Sequence, residues 1–250
     1  MPSSKRARVI PTSKTSKNRK DLVRRLHANI QECALNYTHI FVFDVQNMRN
    51  NFIKNVRAEF SDSRVVMGKT KVMMVALGRD AENEVVPGVS KLQEHVTGEV
   101  GLLFTNRDVK EVKDFFEGYS ESDFARSGTE SVMEVRIPPG EIFTQYGVGG
   151  EEDPLPVQIE PQLRKLGVPT RIKGGKVVLE EVAEVAMVDD GEEGYLICKE
   201  GDVLDSRQTS LLKILGARMS EFKMGLRAVY DKKTGEVQEL GRLEGNGVKS

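Results

Sequence analysis

The segment 64–71, of sequence RVVMGKTK, has the residue types of a phosphate-binding turn. Gly68, Lys69 and Thr70 match the end of the nucleotide-binding P-loop, but the first glycine of that motif would fall at Ser63. That glycine is needed because the loop must turn its backbone N–H groups onto a phosphate. The sequence therefore disfavours a nucleotide-dependent enzyme. The segment instead has three cations, Arg64, Lys69 and Lys71, and the backbone amide of Gly68 is open to close approach. These groups suit the fixed phosphate backbone of a nucleic acid.

Further basic residues lie on two predicted helices near this turn. An arginine such as Arg57 can hold a phosphate with two hydrogen bonds, and Asn47 can read a base edge or a 2′-hydroxyl. Aromatic residues are sparse on these faces, which favours recognition of folded RNA by shape and backbone over base stacking. If the helices share one side or edge of a sheet, the cations form one positive surface; otherwise they are ordinary exposed residues. The candidate RNA-binding residues are Lys20, Arg24, Arg25, Asn47, Arg49, Lys54, Arg57, Arg64, Gly68, Lys69 and Lys71.

Nothing in the sequence predicts catalysis, a metal site or a cofactor. His27, His39 and His95 lie far apart, and Cys33 and Cys198 are isolated, whereas metal sites need short and regular spacings. Lone cysteines without a signal peptide indicate the reducing cytosol or nucleus. No apolar run reaches the ~18–20 residues that a membrane span needs, so no membrane partner is expected.

Charge is unevenly distributed along the 250 residues, although the net charge is only −1. Nine lysines and arginines stand against one aspartate in residues 1–25, while acidic residues concentrate between residues 151 and 193. This asymmetry indicates a nucleic-acid contact at one end of the chain. We expect residues 1–20 to form a disordered basic arm that carries a nuclear targeting signal, a role compatible with a simple solvated tail.

Strands alternate with helices over the first 120 residues, which predicts an α/β sandwich. Asp44 ends an apolar strand, and we expect it to stabilise the amino terminus of the following helix. Helices are predicted over Lys20–Leu35, Asn47–Phe60, Lys71–Leu77, Lys91–Val96 and Arg107–Tyr119, and strands over His39–Val45, Arg64–Met67 and Glu99–Thr105.

Shorter pieces separated by glycine and proline follow residue 120 and predict a second, β-rich unit. Residues 244–250 lack a core-forming pattern and are expected to be frayed. The predicted elements are helices over Ile159–Leu166 and Ser206–Leu215, a hairpin of Arg171–Lys173 and Lys176–Val178, and strands over Val182–Val188, Phe222–Tyr230 and Val237–Leu240.

Several short segments together resemble the ribosomal stalk-base protein family, called L-ten in bacteria and P-zero in eukaryotes. The resemblance covers about residues 21–230 and implies an α/β sandwich RNA-binding domain interrupted by a smaller β-rich insertion domain. It implies an rRNA-binding domain over 21–112 plus 200–230, an insertion domain over 113–199, and a carboxyl-terminal hairpin and tail over 231–250. The matching segments are 47–50 (NMRN), 53–57 (IKNVR), 66–70 (VMGKT), 96–106 (VTGEVGLLFTN), 125–128 (ARSG), 137–140 (IPPG) and 166–174 (LGVPTRIKG).

The chain also departs from the ribosomal members of that family. It reaches Ser250 without stalk-dimer-binding helices or an acidic tail, its turn reads GKTK rather than GKNT, and its basic arm is longer. In these three features the chain instead resembles a paralogous group of ribosome assembly factors. The resemblance then implies a nuclear placeholder, which binds stalk-base rRNA on pre-60S particles and is later exchanged for the mature stalk-base protein. The alternative is the mature ribosomal protein itself, a structural constituent of the ribosome.

The resemblance to this paralogous group also carries expectations about partners and location. It implies a neighbouring ribosomal protein of the L-eleven type (L-twelve in eukaryotes), no binding of stalk dimers, and release by a dual-specificity-phosphatase-type factor. The expected location is the nucleolus and nucleus, with shuttling to the cytoplasm left open.

Overall fold

The structure, a computed structural model, describes residues 18–80, 82–144, 153–180 and 194–241. Most of the predicted arm, the predicted strand Val182–Val188 and the end of the chain from residue 242 lie outside these ranges. The chain divides into two compact units, one formed by residues 1–119 and 223–250 and the other by residues 120–222. Interleaved helices and strands confirm the predicted α/β class. Within the described ranges, no helix has the length and apolar character required to cross a bilayer.

The elements follow the predicted order closely. In place of the predicted helix Lys91–Val96, residues Val89–His95 form a 3-10 helix. The α-helices are α1 (Arg19–Asn36), α2 (Asn50–Glu59), α3 (Thr70–Leu77), α4 (Val109–Gly118), α5 (Glu160–Lys165) and α6 (Ser206–Ile214). The strands are β1 (His39–Gln46), β2 (Arg64–Met67), β3 (Val100–Thr105), β4 (Ser120–Asp123), β5 (Val135–Ile137), β6 (Phe143–Thr144), β7 (Asp153–Pro154), β8 (Thr170–Lys173), β9 (Lys176–Leu179), β10 (Tyr195–Cys198), β11 (Ser220–Asp231) and β12 (Glu236–Glu239).

The first unit is built on a sheet with strand order β12-β11-β1-β3-β2. The central strand β1 is buried from residue 40 to residue 45, as its apolar sequence predicts. Because successive side chains point to opposite faces of a sheet, Ile40 and Val42 face one side and Phe41 and Phe43 face the other.

Helices cover both faces of this sheet. One core joins residues of α1, α3 and the 3-10 helix to Ile40 and Val42. Phe41 and Phe43 are fully buried on the opposite face, where α2 and α4 are the helices of this unit that remain to cover them. Phe60, which closes α2, stacks on Phe116 of α4 with ring centroids 5.6 Å apart. The helices α1 and α2 therefore lie on opposite faces.

The second unit has its own apolar core and three two-stranded sheets among the described residues. Its boundaries differ from the predicted 113–199. The helix α4 stays with the first unit because Phe116 packs on Phe60 there. The helix α6 belongs to the second unit because Leu211 and Leu212 complete that unit's core. A capping box between Asp205 and Gln208 fixes the start of α6.

Candidate nucleic-acid interface

The turns that follow β1 and β2 lie at the same edge of the sheet. Both strands are antiparallel to β3, which lies between them, so β1 and β2 are parallel to each other. Pairing of Asp44 with Val100 and of Met67 with Gly101 places the beginning of β3 at this edge as well. We call residues 47–49, 68–69 and 97–99 the carboxyl edge.

Two helices begin at the carboxyl edge with basic residues at their N-cap positions. Arg49 caps α2 and Lys69 caps α3; neither supplies a side-chain cap, and neither helix has an acidic residue in its first turn. Serine, threonine, aspartate or asparagine would normally accept the first N–H groups at such a position. Arginine and lysine cannot accept them, so the N–H groups and the positive ends of both helices suit an anion. Phosphate is the usual anion at such a helix end.

The beginning of α1 adds further cations near the same edge. Gly68 lies against α1, because a Cβ atom built there would be 2.5 Å from Leu26 Cδ2. The 18 residues of α1 extend over roughly 27 Å and end just before β1 begins, so its first turns lie toward the carboxyl edge. Lys20, Arg24 and Arg25 are exposed on these turns. Arg24 also contacts Asp21 at 3.8 Å, an exposed pair that contributes little.

Asn47 occupies the first position after β1 and has a positive φ of 51°. Asparagine tolerates this left-handed conformation better than most residues with a side chain. The same conformation is incompatible with a helix, which is why α2 begins at Asn50 rather than at Asn47 as predicted. The exposed Asn47 is therefore held within the carboxyl edge, beside Arg49.

Three of the predicted residues lie away from this edge. Lys54 and Arg57 are exposed along α2, and Arg57 is roughly 10 Å from the start of that helix by its rise per residue. Arg64 begins β2 and pairs with Phe104, at the far end of the strand. Because α1 and α2 lie on opposite faces, the predicted cations do not form one helix-face surface. The other predicted residues, which belong to α1, to the turns before α2 and α3 and to the start of α3, lie at or near the carboxyl edge.

Arg64 instead influences the buried thiol of Cys33 on α1. Burial raises the pKa of Cys33, and the positive charge of Arg64 opposes that rise. Cys33 Sγ lies 3.7 Å from Asn29 Oδ1. The charge of Arg64 therefore acts on this thiol from an exposed position at the start of β2.

Asp44 does not stabilise the start of α2, so that prediction was wrong. Its Oδ2 atom accepts a hydrogen bond of 3.0 Å from Nε of Arg227 on β11. Nη1 of Arg227 also donates to the carbonyl oxygen of Thr97 at 2.7 Å. Arg227 was missed because it is 183 residues from Asp44. Its strand also contains Glu221 and Lys223, so a charge there does not single out Arg227.

The helix that begins at the opposite edge of the sheet has an acidic N-cap. There Asp108 caps α4, and Glu111 lies in its first turn. Arg107 donates from Nε to Asp62 at 2.9 Å, and this hydrogen bond lowers the pKa of Asp62 below its ordinary value. The only basic N-caps of the described α-helices in this unit are therefore those at the carboxyl edge.

Lys223, which pairs with Gln46, is a further cation near the carboxyl edge that the sequence analysis did not single out.

The backbone geometry does not accommodate a P-loop. Residues 64–67, which would have to form the loop around phosphates, are the strand β2. Only Gly68 and Lys69 separate that strand from α3. Across the described ranges, no group of three or more histidine, cysteine, aspartate or glutamate side chains could hold a metal ion.

Family models match both units of the chain. The model described as ribosomal protein L10 matches residues 14–121. A second model, described as the insertion domain in the 60S ribosomal protein of the L10 type, matches residues 125–217. These two matches show an L10 domain followed by its insertion domain, and the return of β12 and most of β11 to the first unit makes the second unit an interruption of the first.

Curated relatives extend over nearly the whole chain. Proteins named ribosome assembly factor mrt4 are 44% identical in Neurospora crassa, covering 96% of this chain and 94% of the relative, and 39% identical in Schizosaccharomyces pombe, covering 98% of each. The large ribosomal subunit protein uL10x of Arabidopsis thaliana is 29% identical over 78% of this chain and 54% of its own length. The chain therefore belongs to the ribosome assembly factor mrt4 family, whose fold combines a ribosomal protein L10 domain with its insertion domain.

Proposed function

We propose that this chain is a ribosome assembly factor that binds large-subunit rRNA at the stalk base of pre-60S particles. In this proposal it acts as a placeholder and is later exchanged for the mature stalk-base ribosomal protein. Its activity is occupancy, and no chemical step is required of it.

The convergence at one sheet edge of two helix N-termini with basic N-cap residues is the observation that supports the proposal most strongly. Arg49 and Lys69 occupy the N-cap positions, and the backbone N–H groups behind them lack a side-chain acceptor from the cap. A folded RNA presents phosphates at fixed separations, so two such sites on a rigid sheet favour one RNA shape over others. Lys71, Lys20, Arg24 and Arg25 add charge that strengthens binding without reading sequence.

The remaining parts of the proposal rest on the family alone. We propose that the neighbouring partner is a ribosomal protein of the L-eleven type, that stalk dimers are not bound, and that a dual-specificity-phosphatase-type factor promotes release. We also propose residence in the nucleolus and nucleus. Lys54, Arg57 and Arg64 are proposed as peripheral rRNA contacts, because they lie away from the carboxyl edge.

The alternative is that the chain is a mature ribosomal stalk-base protein. The comparisons favour the assembly-factor role, because identity to the mrt4 proteins is higher and extends over 94–98% of their length in the two relatives described. The plant ribosomal protein is matched over 54% of its length.

Competition between the two proteins for one RNA tests the placeholder proposal. The full chain would be bound to a stalk-base rRNA fragment, and the mature stalk-base protein would then be titrated in. We expect complete displacement without a ternary complex, because both proteins would occupy the same phosphates. A stable ternary complex, or no displacement at saturating competitor, would contradict the proposal.

A further inference from the structure

The loop that enters β3 lies in the middle of the carboxyl edge and carries a carboxylate. Since β3 lies between β1 and β2, residues 97–99 are flanked by the turns that precede α2 and α3. Thr97, Gly98 and Glu99 are exposed. A carboxylate that moved across a phosphate-binding edge would repel the phosphates bound there. This loop therefore needs a fixed position if the edge is to bind RNA.

Arg227 ties the loop to the centre of the sheet. Its Nη1 donates to Thr97 O at 2.7 Å and, with longer geometry, to His95 O at 3.4 Å. Its Nε donates to Asp44 Oδ2 at 3.0 Å. The side chains of Arg227 and Asp44 are 14% and 11% exposed, so water competes little for these bonds. One planar guanidinium thus joins the loop to β1 through two nitrogens at a fixed spacing, a geometry that the single nitrogen of a lysine ammonium does not reproduce.

The backbone of β11 is irregular at this residue. Val42 pairs with Ala228 and Phe43 pairs with Leu226, so Arg227 is the extra residue of a β-bulge. Bulges interrupt strand pairing and re-aim a side chain, and they are over-represented beside functional sites. The regular pairing between β11 and β1 is therefore interrupted at Arg227, the residue that contacts the loop.

We propose that Arg227 is a positioning residue for RNA recognition: it fixes the Thr97–Glu99 loop so that Glu99 stays clear of the phosphates bound by the carboxyl edge. Arg227 acts through Thr97 and does not itself contact a phosphate. The RNA part of this inference rests on the proposed function, whereas the ordering of the loop does not.

The full-length Arg227→Lys variant separates this role from simple charge balance. Lysine keeps a cation beside Asp44 but lacks the second, rigidly spaced nitrogen through which Arg227 reaches Thr97. We expect faster hydrogen exchange at the amides of Gly98 and Glu99 in the free protein. We expect affinity for the stalk-base rRNA fragment to fall about tenfold, the scale of one hydrogen bond to a charged group. The slope of log affinity against log salt should stay unchanged, because no phosphate contact is lost.

Two further variants test the cause of the loss. Arg227→Met combined with Asp44→Asn removes both charges and avoids leaving a lone buried carboxylate. This double variant should bind RNA as weakly as Arg227→Lys, because the tie to Thr97 is lost in both. Adding Glu99→Gln to Arg227→Lys should recover most of the affinity. Thermal unfolding of each variant would verify that the fold is retained.

Several outcomes would overturn the proposal. Unchanged exchange at Gly98 in Arg227→Lys would remove the positioning role. Normal affinity of the charge-neutral double variant would show that Arg227 only balances Asp44, and a shallower salt slope would show direct phosphate contact. If the unaltered chain bound the stalk-base fragment no better than an unrelated folded RNA, the proposed function would fail, and the exchange result would still decide whether Arg227 orders the loop.

Discussion

At the scale of single residues, the N-caps of α2 and α3 conflict with helix stability in a way that suits anion binding. Lysine at the cap of α3 leaves backbone donors without a side-chain acceptor, and its charge adds to the positive end of the helix. A residue chosen for stability alone would be serine, aspartate or asparagine. We interpret this local cost as a sign of function, because departures from sequence rules concentrate at functional sites.

Lys69→Asp should therefore raise stability and weaken RNA binding at once. Aspartate would accept an N–H group of the first turn of α3, and we expect the free energy of unfolding to rise by about 1 kcal/mol in urea titrations. The same carboxylate would repel phosphate, so affinity for the stalk-base rRNA fragment should fall about tenfold at physiological ionic strength, where distant charges are screened.

Lys110→Asp is the matched control for this change. Lys110 is exposed near the start of α4, at the opposite edge of the sheet, and its substitution makes the same change in net charge. We expect its RNA affinity to stay within about twofold of the unaltered chain, since a distant exposed charge is largely screened. An equal loss in both variants would mean that overall charge, rather than the carboxyl edge, determines binding.

At the scale of elements, the sequence predicts the helices and strands of the first unit from apolar spacing alone. The pairing of those strands is not visible in such a pattern, so the sequence could not place Arg57 away from the edge that holds Lys69. The bond between Asp44 and Arg227 joins residues 183 positions apart, which no local signal encodes. Gly101 likewise has a purely tertiary cause, because a Cβ atom there would overlap the ring of Phe43 across the strand pair.

The segment before the 3-10 helix depends on one carboxylate and should respond to pH. Glu84 accepts hydrogen bonds from the Ser90 hydroxyl and from the amide of Gly88 at 2.7 Å, and the bond from Ser90 is the largest cause that lowers its pKa. A carboxyl whose pKa falls on folding adds stability above its ordinary pKa of about 4.3 and loses it as pH drops through the lowered value. The folded state should therefore weaken progressively on acidification below about pH 4.

Glu84→Gln should remove that part of the pH dependence. Urea unfolding midpoints measured between neutral pH and pH 3 should decline less steeply in Glu84→Gln than in the unaltered chain. Glu94→Gln is the control, because Glu94 is an exposed glutamate in the 3-10 helix that follows Glu84. Its unfolding midpoints should follow those of the unaltered chain. Parallel curves for all three proteins would show that Glu84 contributes no charge-dependent stability.

At the scale of the whole molecule, the candidate RNA contacts all belong to the first unit, while residues 120–222 have a separate core. The resemblance predicted an insertion, but its limits depend on packing: Leu211 and Leu212 draw α6 into the second unit. Each unit has a hydrophobic core of its own. A separate core is the usual basis for the independent folding of a domain.

Replacement of residues 120–222 by a short glycine-serine linker should therefore preserve RNA binding. The carboxyl edge, α1 and the Arg227 tie all remain in the shortened chain. We expect its dissociation constant for the stalk-base fragment to stay within about threefold, measured at matched salt because affinity depends strongly on salt. A shortened chain that folds but has lost specific binding would assign part of the RNA interface to the insertion domain.

Binding of the full chain to the stalk-base rRNA fragment should be measured across a salt series, with an unrelated folded RNA of equal length as the comparison. This measurement tests whether the carboxyl edge recognises stalk-base rRNA. Each phosphate neutralised should contribute roughly −0.7 to −0.9 to the log–log slope, by analogy with DNA. We predict tight, salt-dependent binding that favours the stalk-base fragment, and a shallower slope when Lys69 is changed to alanine. Equal affinity for both RNAs would mean that binding reflects the basic residues alone, and the carboxyl edge would then not be a specific rRNA-binding site.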